Sequence, residues 1–271
     1  MATDLTPVIS AETLHKQLAN PDLLIVDVSS AEDYEAAHVP GAVHIDYADF
    51  VTAEPPVMGL VPDAASLSQA FSAMGLSEGL HVVAYDREGG GKAGRLLFTL
   101  DAAGHSAGSL LDGGLGAWMN AGFEISSGGA QSTPTGYQTP RPGNNLADKA
   151  YIQSRLGAPD LALLDCRTPA EYNGTDVRAQ RGGHIPGAVN FNWTDAMDPD
   201  NPPSLRPEAE LRGMLEAIGV TPDKEVIAYC QTHHRSSHTY MVLKQLGYKN
   251  VKGYPGAWSD WGNDPDMPVE S

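Results

Sequence analysis

Short, continuous apolar runs recur along the chain: Leu23-Leu24-Ile25-Val26-Asp27-Val28, His81-Val82-Val83-Ala84-Tyr85, Leu161-Ala162-Leu163-Leu164-Asp165 and Val226-Ile227-Ala228-Tyr229. None alternates polar with apolar, so each reads as a strand covered on both faces rather than one lying half in water. Between them lie stretches with helical spacing. Residues 8–19 read as a helix, with Ser10 as its cap and Leu14 and Leu18 one turn apart. Residues 67–74, 94–103 and 146–156 read likewise, as does the segment that follows Ser236. Ser109-Leu110-Leu111 adds a short strand. Strands alternating with helices predict an α/β fold, a mainly parallel sheet with helices on both faces. In such sheets ligands sit beyond the carboxyl ends of the strands.

The pattern occurs twice. His184-Ile185-Pro186-Gly187-Ala188-Val189 repeats His38-Val39-Pro40-Gly41-Ala42-Val43, and Tyr172 follows Asp165 at the same distance as Tyr34 follows Asp27. Val226-Ile227-Ala228-Tyr229-Cys230 repeats Val82-Val83-Ala84-Tyr85-Asp86, and Pro255-Gly256-Ala257-Trp258 repeats Leu115-Gly116-Ala117-Trp118. So many blocks in one order indicate two copies of one domain. The segment 126–145 is rich in Gly, Ser, Thr and Pro and reads as a linker, which places the domains at 1–125 and 146–271.

Charge narrows the range of partners. A formal net charge of −17 and no cluster of Lys and Arg argue against nucleic acid and against an acidic membrane surface. The first residues lack a basic segment followed by a long apolar one, and no stretch approaches membrane-spanning length, so a cytoplasmic protein is expected. Only two cysteines occur, Cys166 and Cys230, which implies reduced thiols rather than a disulfide framework. Cys166, at the end of an apolar run, reads as a packing residue.

Cys230 reads differently. It closes an apolar strand and opens Cys230-Gln231-Thr232-His233-His234-Arg235-Ser236, after which a helix begins. A tight loop running into a helix gathers backbone N–H groups and the positive end of a helix dipole around the sulfur, which favours a thiolate with an anion beside it. Arg235 either adds its charge to that site or forms a surface salt bridge. His233 and His234 are open to three readings: polar residues that shape entry, acid–base or anion-attracting groups, or, for His234 with Cys230 and His238, a metal site. The first is preferred, because no further ligand is spaced to complete a metal site, and no cofactor is implied. Arg167, after Asp165-Cys166, either adds charge at the same sheet edge or pairs with Asp165. Trp193, Trp258 and Trp261 read as packing residues.

The strand end Asp165-Cys166-Arg167, the segment Gly183-His184-Ile185-Pro186-Gly187-Ala188, the cysteine loop and the closing Gly-Ala-Trp together resemble the tandem-domain rhodaneses, the thiosulfate and mercaptopyruvate sulfurtransferases. The resemblance implies two rhodanese domains, the first inactive with an aspartate in place of cysteine, and Asp86 stands there. It implies a small anionic sulfur donor, a thiophilic acceptor such as cyanide or a thiol, and a persulfide on Cys230. Gln231, Thr232, His233, His234, Arg235, Ser236 and Arg167 are the implied substrate-binding residues. A monomer is expected, and a protein acceptor is left unspecified. The loop matches neither the Gly-Ser-Gly-Val of mercaptopyruvate enzymes nor the Arg-Lys-Gly-Val of animal thiosulfate enzymes. Many relatives also carry arginine where this chain has Glu171, a loss that weakens the case for mercaptopyruvate unless Arg178 or Arg181 compensates. Four residues separate Cys230 from Arg235, one fewer than in the Cys-x5-Arg of cysteine phosphatases and arsenate reductases, the remaining alternatives.

Overall fold

In a computed structural model describing residues 5–129, 132–140, 143–201 and 203–271, the chain forms two compact units. The first draws on Met1–Val51, Pro62–Gly143 and Pro199–Leu205, the second on Thr52–Val61, Asn144–Asp198 and Arg206–Ser271. Boundaries read from the sequence at 125 and 146 are contiguous, whereas the units exchange two short segments. Much of the stretch read as linker belongs to the first unit, where its backbone N–H groups bond to serines of the helix Ala64–Ala73. Gly136 N–H donates to Ser72 Oγ at 2.8 Å and Thr139 N–H to Ser68 Oγ at 3.0 Å.

In chain order the strands are β1 (Val8–Ile9), β2 (Leu23–Asp27), β3 (Val43–His44), β4 (Thr52–Glu54), β5 (Val57–Leu60), β6 (His81–Tyr85), β7 (Gly108–Leu111), β8 (Leu161–Asp165), β9 (Val189–Asn190), β10 (Glu225–Tyr229) and β11 (Val251–Gly253). The first unit holds a parallel sheet ordered β1-β7-β6-β2-β3. The second holds a parallel sheet ordered β11-β10-β8-β9, together with the antiparallel hairpin β4-β5. Every residue of β6 and β10 is buried, as the apolar runs that follow His81 and Glu225 require. A strand tyrosine packs with tryptophan in each core, Tyr85 with Trp118 in the first unit and Tyr229 with Trp258 and Trp261 in the second.

The helix expected over 8–19 is instead a strand followed by a five-residue helix, Ala11–His15, because Val8 and Ile9 pair with Leu110 and Leu111 before Ser10 caps the helix. The other helices keep their expected places with shifted ends: Ala64–Ala73, Gly91–Ala102, Lys149–Arg155 and Arg235–Gln245.

The repeated His-x-Pro-Gly-Ala block has a shared physical cause. Tyr34 Oη donates to the Ala42 carbonyl and Tyr172 Oη to the Ala188 carbonyl, each at 2.7 Å. His38 stacks on Tyr34 and His184 on Tyr172, with ring centroids 4.2 and 3.7 Å apart. Val39 and Ile185 then donate their N–H groups to the hydroxyls of Tyr85 and Tyr229. A correction applies to the closing Gly-Ala-Trp. The residue donating to the Asp86 carbonyl is Leu115, and its counterpart on the Cys230 carbonyl is Trp258. Gly114 and Ala257, which precede them, share left-handed φ of 55° and 51°. The matching letters are therefore three residues out of step with the structural equivalence, and the true partner of Trp118 is Trp261. Both indoles donate to a carbonyl just beyond their own helix, Glu124 and Pro268.

Candidate active site

Cys230 follows β10 and is completely buried. Its loop is pinned from outside by the helix Ala257–Trp261: Trp258 N–H donates to the Cys230 carbonyl and Ser259 N–H to the Gln231 carbonyl, both at 3.0 Å. Burial pushes the thiol pKa up, but the Arg235 guanidinium, the Ser236 hydroxyl and the N–H groups of Ser236 and Thr232 outweigh it and hold the thiol below its ordinary 9.0. Helix Arg235–Gln245 starts beside the sulfur and adds its positive end.

The loop turns because His233 adopts a left-handed backbone, φ 55°, at the position where the first copy has Gly89 with φ 97°. That conformation costs a non-glycine residue on the order of 1–2 kcal/mol, and it is held by contacts. The His233 ring Nδ1 lies 2.7 Å from Ser236 Oγ, and its carbonyl accepts from the Ser237 hydroxyl. His233 was expected at the rim with His234, but it is buried and braces the loop from within. His234 is partly exposed, its ring 6.4 Å from that of Trp193, whose indole also meets His238 edge-on at 5.5 Å. Burial lowers the His238 pKa to about 4, so that ring is neutral at physiological pH. Among the described residues no group of three or more His, Cys, Asp and Glu is placed to hold a metal ion.

Arg235 is not a surface salt bridge. Its Nη1 and Nη2 donate to the two carboxylate oxygens of Glu171 at 2.6 and 2.8 Å, and the guanidinium also faces Cys230. Glu171 is fully buried, and Thr168 N–H and Oγ1 donate to its Oε2 in a capping box. Burial opposes its ionisation, yet the Arg235 contacts prevail and hold its pKa down to about 2. Of the two residues expected to replace a missing arginine at this position, Arg178 comes within 3.7 Å of Glu171 but is paired with Asp176. Arg181 is occupied by the carbonyls of Trp261, Asp264 and Met267.

Arg167, expected among the substrate-binding residues or as a partner of Asp165, sits in the second role. It is 1% exposed, forks onto Asp165 through Nε and Nη2, donates to the Gly183 carbonyl at 2.7 Å and lies 4.4 Å over the Trp258 ring. With Nε and Nη2 bonded within the core and its guanidinium over the Trp258 ring, it braces the residue that pins the Cys230 carbonyl. Trp258 and Trp261 are core residues, while Trp193 is partly exposed beside His234.

Two contributors have no motif. One is Glu171, whose capping box is legible but whose partner is not. The other is Gly59 on β5, with φ 78°, where an added Cβ would come within 2.1 Å of the Thr232 carbonyl oxygen. The neighbouring Met58 N–H donates to Ser259 Oγ at 2.9 Å, so the hairpin buttresses the loop. Gly59→Ala is expected to displace Thr232 and slow alkylation of Cys230 by iodoacetamide about tenfold or more, measured on protein that melts like wild type.

The first copy preserves the cradle with a different occupant. Asp86 is buried, and its carboxylate accepts from the N–H groups of Glu88, Gly90 and Ala93 at 2.8–3.0 Å. A carboxyl group thus fills the cradle from within, its pKa raised above the ordinary 3.8 by burial, and Gly91 at the helix start replaces the arginine.

A family model for the rhodanese-like domain matches residues 10–121 and again 148–264. The chain belongs to the rhodanese family. Its two rhodanese-like domains are the repeated α/β units described above. It is 46% identical to a thiosulfate sulfurtransferase of Pseudomonas aeruginosa, over 99% of this chain and 98% of that one, and 43% identical to one of Azotobacter vinelandii, over 97% and 96%. The sulfur carrier protein TtuD of Thermus thermophilus is 31% identical over 96% of this chain and 95% of its own. The solved structure of YnjE superposes with a TM-score of 0.89 over 98% of this chain and 68% of that chain, at 24% identity, and so shares the rhodanese fold. Among the described residues no helix is long and apolar enough to cross a membrane.

Proposed function

We propose that the protein is a thiosulfate sulfurtransferase that moves a sulfane sulfur to cyanide or a thiol through a persulfide on Cys230. The observation that supports this most is the cradle around that sulfur: N–H groups of Thr232 and Ser236, the Ser236 hydroxyl and Arg235, all favouring a buried anion. In the first half-reaction the Cys230 thiolate attacks the outer sulfur of thiosulfate, the S–S bond breaks, and sulfite leaves with the bonding pair. In the second, the acceptor attacks the outer sulfur of the persulfide and Cys230 departs as thiolate. The persulfide is also an anion, so the same donors stabilise reactant and intermediate. His234 and Gln231 line the approach, and His233 keeps the loop in shape.

The full-length identity to two thiosulfate sulfurtransferases supports thiosulfate as the donor. Arg235 spends its fork on Glu171, which leaves no free two-point donor for a phosphate and disfavours a phosphatase reading. Incubation with thiosulfate, removal of excess and weighing of the intact protein is expected to show one added sulfur atom, which cyanide removes as thiocyanate. Wild-type protein that gains no sulfur would overturn the proposal.

A further inference from the structure

Glu171 is a buried anion within one residue's reach of a cysteine that must itself be an anion. At first sight this is counterproductive, since a site for anions gains nothing from a second carboxylate. The geometry resolves the conflict. Glu171 meets Arg235 through both oxygens, and Arg235 in turn meets the sulfur, so carboxylate, guanidinium and thiolate form a line with the cation in the middle. Thr168 fixes the far end of that line through the capping box, and Arg178 contributes only a 3.7 Å approach from an exposed side chain. The fork restricts the guanidinium to one orientation, and the carboxylate offsets its charge.

We propose that Glu171 is the positioning residue of the cysteine loop, holding the Arg235 guanidinium against Cys230 and offsetting its charge so that a doubly charged donor binds weakly and sulfite is released. This rests on Cys230 being the reactive sulfur. A cradle with an uncompensated arginine would bind thiosulfate and sulfite more tightly. It would also lower the basicity of the cysteine, making it a poorer nucleophile in the first half-reaction and a better leaving group in the second. Glu171 thus balances the two halves against each other.

The decisive variant is Glu171→Gln, because glutamine keeps the capping box and nearly the same shape while removing the charge. Alkylation of Cys230 by iodoacetamide as a function of pH reads the thiolate without any sulfur transfer. The midpoint is expected to fall in Glu171→Gln, with alkylation below the wild-type midpoint about tenfold faster, a change of one pH unit in midpoint. Both the KM for thiosulfate and the inhibition constant for sulfite should fall. Glu171→Asp, which keeps the charge, should stay close to wild type in all three and provides the comparison if the glutamine variant is poorly folded. A raised midpoint in folded Glu171→Gln would show that Glu171 only places the guanidinium and would overturn the charge offset, while an unmoved midpoint, or an equal change in Glu171→Asp, would reduce Glu171 to a structural residue. If wild-type Cys230 neither alkylates nor takes up sulfur, the sulfurtransferase reading itself fails, and the role of Glu171 with it.

Discussion

Replacing Cys230 by alanine is expected to remove sulfur uptake from thiosulfate altogether and to cut thiocyanate formation by more than about a thousandfold, because no other group can accept the sulfane sulfur. Cys166 is no substitute. It is buried, and burial raises its thiol well above the ordinary 9.0. The fold should survive, and the first copy indicates a sterner version of the test. Asp86 occupies the equivalent cradle and bonds to three of its N–H groups, so Cys230→Asp should also fold and be equally inert. Mass spectrometry after thiosulfate treatment and a melting curve check both statements. A Cys230→Ala protein that still gains a sulfur atom would place the chemistry elsewhere.

Arg235→Ala should be more damaging to the molecule as a whole. It removes the cation that lowers the thiol pKa, so thiosulfate turnover at neutral pH should drop at least tenfold and its acid limb should move to higher pH. It also strands Glu171, which is fully buried, at a cost of about 3–5 kcal/mol where a buried pair loses one member. The sign of the pH dependence follows from the pair. In wild type the Glu171 pKa is lowered to about 2 from an ordinary 4.5, so the pair's stabilisation is present above 4.5 and is lost as pH falls towards 2. In the variant burial is opposed by the Thr168 contacts but no longer by Arg235, so the Glu171 pKa rises from its wild-type value and the variant loses less on acidification. The stability gap between the two proteins should therefore be widest near neutrality and shrink on acidification. Urea unfolding at several pH values measures it, and a constant gap would show that Glu171 does not depend on Arg235 for its charge.

The sequence is informative where a feature is local. Apolar runs without alternation placed β2, β6, β8 and β10, because the middle of a strand buried on both faces is apolar and its polar residues fall at the ends. The cysteine loop was legible for the same reason: strand, tight turn and helix follow one another directly. Two-residue β1 was not, since its strand character comes from pairing with β7, about a hundred residues away, and Ser10 made the whole segment look like one helix. Glu171 shows the limit most clearly. As a letter it looks like a cation lost; in space it holds one in place, and with a sequence separation of 64 nothing announces the pair of Glu171 and Arg235. His233 was placed at the rim because polar loop residues usually face water, yet its left-handed backbone turns the ring inward. The Gly-Ala-Trp match is three residues out of register because identical letters there do not occupy equivalent positions.

The hairpin β4-β5 sets the terms on which this protein can be divided. Its residues lie in the first repeat, yet it stands with the second unit, Gly59 against Thr232 and Met58 against Ser259. A fragment beginning at residue 146 would contain every residue of the cysteine loop and lack the wall behind it. The first copy has no cysteine to contribute, but its sequence supplies that wall, so cutting the chain in half does not yield a complete second unit.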